Sequence, residues 1–112
     1  MTRGYRLRYF FDAGAGVCLW SANKAPRAHY GVAITPEQLP LPEATRQEVN
    51  RLVAWYDTSL DWDNPAGPTP WSLEECERFN LAARTLLQRL RVQLGSDYEV
   101  VDEFEEVRVT VV

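Results

Sequence analysis

Three of the four tryptophans fall in the segment 55–71, together with three aspartates. Two of these aspartates, Asp57 and Asp61, would share one face of a continuing helix, and paired carboxylates can act as general acid and base. Like charges at that spacing also repel each other, which argues equally that the helix ends there. A small carboxylate-dependent hydrolase is therefore the weakest of the functional hypotheses for this chain.

Residues 61–67 begin with the Asp-x-Asp pattern of a calcium-binding loop. Such a loop needs glycine at its sixth position and a bidentate glutamate at its twelfth. The sequence has Ala66 and Ser72 at those positions, and Pro65 at the fifth. We therefore predict no metal site and no cofactor, and we expect the aspartates to form turns.

Other residues with reactive side chains lack the partners that a reaction would need. His29 is the only histidine, and no serine lies in a Gly-x-Ser-x-Gly motif. Gly14-Ala15-Gly16 lacks the third glycine and the following helix of a dinucleotide-binding loop. Cys18 and Cys76 lie far apart without a Cys-x-x-Cys motif, which predicts buried, reduced thiols. We predict no catalytic residue and expect that the protein is not an enzyme.

Aromatic and acidic side chains in a loop favour a binding site, because tryptophan often anchors interfaces and loops often carry binding residues. Trp55 and Tyr56 follow a helical pattern and Trp71 precedes a second one, so all three are expected to form a frame that joins the ends of two helices. Trp62 lies between two aspartates and is the best candidate for an exposed anchor, and the alternative is that it closes the core over the loop. We predict a protein-binding surface formed by the tip, defined as Asp57, Asp61, Trp62 and Asp63, with further contacts from Asp102 and Glu103 of the acidic C-terminal run.

The composition is that of an ordinary globular protein and predicts a single domain over residues 1–112. No apolar run approaches the roughly 20 residues of a membrane span, and the N-terminus lacks a signal-peptide pattern, so a cytoplasmic location is expected. Residues 1–30 carry five Lys/Arg and one acid, whereas residues 31–112 carry seven and fifteen. This acidic majority argues against nucleic-acid binding and favours a basic protein partner.

The elements that must position the tip follow from periodicity. Alternation over residues 5–11, glycines at 14 and 16, and an apolar run at 17–20 predict a β-hairpin. Residues 23–27 are predicted as a loop, and residues 29–34 as either a short strand or an extended connector. Thr35-Pro36-Glu37-Gln38 predicts one helical turn that ends before Pro40.

Two longer helices are predicted, one beginning near Pro42 and one over residues 73–94. Ser72 and Glu75 form the pattern of a capping box, and Gly95 supplies the helix stop. Residues 98–104 and 107–111 are predicted as one bent strand or a hairpin. The predicted fold is a two-layer α+β arrangement, with a mostly antiparallel sheet of N- and C-terminal strands and two main helices packed on one face.

The segments LVAWYDTSLDW (52–62) and PWSLEECERFN (70–80) resemble small uncharacterised actinobacterial proteins, over a stretch from about Leu19 to Asp102. The size, acidity and aromatic-acidic loop are also similar in type to immunity proteins of bacterial polymorphic-toxin systems. This second resemblance implies no catalytic residues and a protein partner such as a basic toxin domain, whose cleft an acidic surface could block. The alternative is a self-associating structural or regulatory protein, a homodimer paired at its valine-rich end.

Overall fold

The structure, a computed structural model, describes residues 4–109. Within this range the chain forms four strands, three helices and one 3₁₀ turn. In chain order these are β1 (Tyr5–Tyr9), β2 (Leu19–Ser21), α1 (Lys24–Tyr30), β3 (Ala33–Ile34), the 3₁₀ turn (Pro36–Gln38), α2 (Glu43–Asp57), α3 (Leu73–Leu94) and β4 (Tyr98–Asp102).

The strands form one sheet in the order β3-β2-β1-β4. β2 is antiparallel to both β1 and β3, as a hairpin requires, and β4 is parallel to β1 with Tyr5 opposite Tyr98. The predicted α+β class is confirmed, with the terminal strands side by side in a mixed sheet. The parallel pairing of β1 with β4 was not predicted. Parallel neighbours need a long crossover connection, and the connection between these two strands contains all three helices.

Alternating burial along β1 separates a covered face of the sheet from an open one. On the covered face, Tyr9 is fully buried and its hydroxyl donates to the Ala83 carbonyl of α3 at 2.7 Å. On the open face, Arg6 pairs with Glu99 of β4 at 2.6 Å. The strand therefore buries its apolar residues against the helices and leaves its arginines at the surface.

The two long helices bury one apolar stripe each, as their periodicity predicts. On α2 the buried apolar residues are Val49, Leu52 and Val53. On α3 they are Cys76, Phe79, Ala83, Leu86, Leu87, Leu90 and Leu94. Among the helices of residues 4–109, none has both the length and the apolar character needed to cross a membrane.

The predicted ends of α3 are also confirmed. The Ser72 hydroxyl accepts a hydrogen bond from the Glu75 N–H at 3.1 Å, which caps the first turn. The Glu75 carboxylate, the other half of the predicted capping box, accepts from Trp55 Nε1 at 3.0 Å and so ties α3 to α2. At the other end Gly95 adopts a φ of +77°, a conformation that favours glycine.

The segment between β2 and β3 differs from the prediction. Residues 24–30 form α1 where a loop was expected over 23–27, and the strand considered at 29–34 is reduced to Ala33–Ile34. Pro26 lies in the first turn of α1, where its missing N–H removes no helical hydrogen bond. The proline that suggested a loop is therefore compatible with a helix. This helix ends at Tyr30, and Gly31 is its C-terminal cap.

The C-terminal segment also differs from both predicted alternatives. β4 ends at Asp102, before the predicted limit at Phe104, and residues 107–109 form no strand. The remainder of the predicted run, residues 110 and 111, lies outside the described residues. The Asn80 side chain on α3 instead binds the Val107 N–H at 2.9 Å and its carbonyl at 3.0 Å. An amide group offers the same donor and acceptor as a neighbouring strand, so it draws this segment onto the helix.

Candidate functional site

Trp55, which is partly buried, and Trp71, which is buried, form an aromatic frame between the end of α2 and the start of α3. Their rings lie 5.8 Å apart, and each lies within 5.2 Å of the fully buried Phe79 ring. The Trp71 indole N–H donates to the Thr58 hydroxyl at 2.9 Å, and that of Trp55 donates to α3 as described above. Both tryptophans therefore have the structural role that the sequence suggested.

Trp62 differs from the frame in being 58% exposed. Its Nε1–H donates to the Asp57 carbonyl at 3.0 Å, at the C-terminal end of α2. Its ring also lies against Gly14 in the connection between β1 and β2, since a Cβ built there would be 3.2 Å from Cη2. The indole is thus exposed to solvent and yet held at two points.

The Asp57 side chain is directed at the connection between β1 and β2. Its Oδ1 accepts a hydrogen bond from the Gly14 N–H at 2.9 Å, and the residue is half-buried. This bond joins the end of α2 to the β1–β2 connection. Asp57 therefore contacts both the backbone that Trp62 covers and, through its own carbonyl, Trp62 itself.

The other two aspartates of the tip shape its turn. Asp61 Oδ1 accepts from the Asp63 N–H at 3.0 Å, and the Asp61 carbonyl accepts from the Asn64 N–H at 3.0 Å. Such local bonds are the usual role of aspartate in turns. The Asp63 side chain extends from this turn and is exposed to solvent.

The predicted contacts in the C-terminal run are engaged within the protein. The Arg8 guanidinium binds the Glu103 carboxylate through Nε at 3.0 Å and Nη2 at 2.7 Å, which lowers the pKa of Glu103. Asp102 Oδ1 accepts from the Phe104 N–H at 3.0 Å, although the residue remains exposed. Within residues 4–109, Glu103 has a cationic partner and Asp102 has none.

Carboxylates from three distant segments converge at this end of the molecule. Burial raises the pKa of Tyr56 in the last turn of α2, and the nearby carboxylates of Asp12 and Glu105 raise it further. Asp12 lies in the β1–β2 connection that Asp57 contacts, whereas Glu105 follows β4. The tip, the β1–β2 connection and the C-terminal run thus lie at the same end of the molecule.

The two carboxylates of the tip that suggested acid and base chemistry are not neighbours on one helical face. α2 ends at Asp57, so Asp61 does not lie one helical turn further on, and each side chain binds a different backbone N–H. Within residues 4–109 no three His, Cys, Asp or Glu side chains are grouped so that they could hold a metal ion. His29 is exposed, with its ring 6.1 Å from that of Tyr5 and 4.5 Å from that of Tyr30.

The two cysteines are buried free thiols, as predicted. Burial raises the pKa of Cys18 to about 12, which keeps it protonated near neutral pH. Burial also raises the pKa of Cys76, whose thiol lies in the apolar stripe of α3. Protonated thiols are poor nucleophiles, so neither cysteine has the character of a reactive site.

Two features near the tip and on α3 were missed from the sequence. Gly14 was interpreted only as a turn residue, because nothing local connects it to Asp57 or Trp62.

A groove of about 590 Å³ also lies between α3 and residues 106–109. Leu73 and Leu81 border it and are 63% and 68% exposed. Helical spacing could have indicated this groove, since both leucines lie off the buried stripe of α3.

Comparison with known families places the chain among immunity proteins. The matching family is described as Serratia CdiI immunity protein-like, its model covers residues 6–102, and the chain belongs to that family. No curated protein matches the chain. The family implies a role in binding a protein toxin, and the match includes the whole of the tip.

Proposed function

We propose that this immunity protein inhibits its toxin by placing the tip on a basic surface of that toxin, with Asp61, Trp62 and Asp63 in contact with that surface and Asp102 and Glu103 at the edge of the interface. The observation that carries the proposal is the exposure of Trp62 in a fixed position. Tryptophan is enriched among the few interface residues that dominate binding energy. A fixed ring also loses little conformational freedom on binding.

The chemistry that the tip leaves available matches a cationic partner. The indole N–H of Trp62 is already used by the Asp57 carbonyl, so the ring offers its π face and its apolar edge. The carboxylates of Asp61 and Asp63 can only accept hydrogen bonds when ionised. Lysine and arginine side chains donate hydrogen bonds, carry positive charge and stack favourably on tryptophan.

The carboxylates of Asp61 and Asp63 also differ from that of Glu103 in their ion pairing. Among residues 4–109, no cationic side chain forms an ion pair with Asp61 or Asp63, whereas Arg8 neutralises Glu103. Unpaired carboxylates can attract a basic surface over a distance and speed association. We therefore assign the larger contribution to Asp61, Trp62 and Asp63, and a smaller one to Asp102 and Glu103.

The structure offers little support for self-association at the valine-rich end. Val107 is bound by Asn80, as described above. On the outer edge of β4, the Val100 carbonyl accepts hydrogen bonds from Arg91 Nε at 3.1 Å and Nη2 at 2.9 Å. A second strand could add there only by displacing this arginine, so the edge is protected against pairing.

The direct test first identifies an adjacent reading frame that ends in a toxin-like domain and then measures binding to that purified domain. We expect Trp62→Ala to weaken binding by about 2 kcal/mol or more, roughly thirtyfold, as for an interface anchor. Val92→Ala is the control, since Val92 is 81% exposed on α3. Isothermal titration calorimetry measures both. Equal, small effects of the two substitutions would contradict the role assigned to Trp62.

Charge is tested with two double variants that change the net charge equally. Asp61→Asn/Asp63→Asn should weaken binding and reduce its dependence on salt concentration, since screening acts on exposed charges. Asparagine at 61 retains an oxygen that can accept from the Asp63 N–H, so the turn is preserved. The control is Asp97→Asn/Glu99→Gln, at the start of β4 and therefore at the end of this strand opposite Asp102. Unchanged affinity of the Asp61/Asp63 variant would refute this site.

A further inference from the structure

Asp57, Gly14 and Trp62 form a closed set of contacts, which we call the latch. The Asp57 carboxylate holds the Gly14 N–H at 2.9 Å, the Asp57 carbonyl holds the Trp62 N–H at 3.0 Å, and the Trp62 ring rests on Gly14. The three residues belong to different segments, namely the end of α2, the β1–β2 connection and the following loop. Each contact restrains the other two.

Gly14 is suited to this place for two separate reasons. Its φ of +82° is a conformation that other residues adopt only with strain. Its missing Cβ also leaves room for the indole, because a Cβ would lie 3.2 Å from Cη2, closer than an ordinary contact. Gly16 shares the first property, with a φ of +80°, but an added Cβ there would meet no atom within 4 Å.

We propose that Asp57 and Gly14 are positioning residues, which hold the Trp62 indole in the orientation that binds the toxin and do not contact the toxin themselves. The recognition part of this proposal rests on the function proposed above. The hydrogen bond of Asp57 supports it, because Oδ1 joins the end of α2 to a different segment, the β1–β2 connection against which the Trp62 ring lies. Asp57 is therefore assigned to the positioning of Trp62 and not to direct contact with the toxin.

The glycines supply a matched pair of variants for the free protein. In a ¹⁵N-labelled sample, the Trp62 Nε1–H signal is assigned by its loss in Trp62→Phe. We expect Gly14→Ala to shift this signal and to speed its exchange with solvent, because the new methyl group displaces the ring. Gly16→Ala introduces similar backbone strain and should leave the signal in place. If both variants affect Trp62 equally, the contact with Gly14 does not position the indole and the proposal is overturned.

Asp57 is tested by comparing its alanine and asparagine variants. Asp57→Asn retains an oxygen acceptor for the Gly14 N–H but removes the charge, whereas Asp57→Ala removes both. We expect Asp57→Ala to alter the Trp62 signal and Asp57→Asn to preserve it. An unchanged signal in Asp57→Ala would show that the carboxylate does not support the indole, contrary to the proposal.

Binding to the toxin domain separates a positioning role from a direct contact. We expect Asp57→Ala to weaken binding about three- to tenfold, the range for ordering one freed side chain, and Asp57→Asn to retain the original affinity. Equal losses in the two variants would make Asp57 a charge contact and overturn the proposal. If Trp62→Ala binds normally, the proposed function fails, whereas the measurements on the free protein still decide whether the latch exists.

Discussion

Trp62 and Trp71 bind adjacent residues at the end of α2, but one is exposed and the other is buried. The Trp62 N–H donates to the Asp57 carbonyl at 3.0 Å, and the Trp71 N–H donates to the Thr58 hydroxyl at 2.9 Å. Trp71 is 6% exposed and packs on Phe79, whereas Trp62 is 58% exposed and lies against Gly14. A hydrogen bond thus fixes where an indole lies, and packing decides whether its surface belongs to the core or remains available to a partner.

The largest expected difference between the two is in stability. Trp71→Ala should lower the free energy of unfolding by about 3–5 kcal/mol, as expected for a buried aromatic side chain that leaves a cavity. Trp62→Ala should lower it by about 1 kcal/mol, since it removes one hydrogen bond and little buried surface. Urea denaturation of both variants measures the difference. A loss of several kcal/mol in Trp62→Ala would identify Trp62 as a core residue and remove the basis for the anchor.

A smaller effect is expected when only the hydrogen bond of Trp71 is removed. Thr58→Val keeps the shape of the side chain but leaves the Trp71 N–H without its acceptor, so we expect a loss of about 1–2 kcal/mol. Thr85→Val is the control, because the Thr85 hydroxyl also donates to a carbonyl of the preceding turn but receives no indole. Equal unfolding midpoints for the two valine variants would show that the frame depends on packing alone.

The smallest expected effect concerns the carboxylate that already has a partner. The Glu103 pKa is lowered by Arg8, so the stability from this pair is present above the ordinary glutamate pKa of about 4.3 and is lost as the pH falls. Arg8→Gln should raise the Glu103 pKa towards that value, which an NMR titration of the carboxyl carbon measures.

Glu48 provides an internal control in the same titration. Arg51 lowers the Glu48 pKa through a hydrogen bond of 2.6 Å, and that pKa should not change in Arg8→Gln. If the Glu103 pKa also stays unchanged, Arg8 does not neutralise it. The contrast between the ion-paired Glu103 and the aspartates of the tip would then be wrong.

Local sequence signals determined the parts of the fold that depend on neighbouring residues. The periodic apolar residues of α2 and α3, the Ser72 cap and the Gly95 stop all act within a few positions, and each is confirmed. The hairpin of β1 and β2 follows from alternation and glycines in the same way. The frame was also predictable, because Trp55 and Trp71 lie at the facing ends of two predictable helices.

Only the tertiary structure decided which side chains of the tip remain available. The contact of Asp57 with Gly14 joins residues that no periodicity relates. It gives a carboxylate that was expected to bind a partner a hydrogen bond within the protein. The parallel pairing of β4 with β1 and the capture of Val107 by Asn80 likewise depend on a crossover and on a distant helix. Sequence patterns determine local conformation, whereas the exposure of Trp62 depends on what the rest of the chain places beside it.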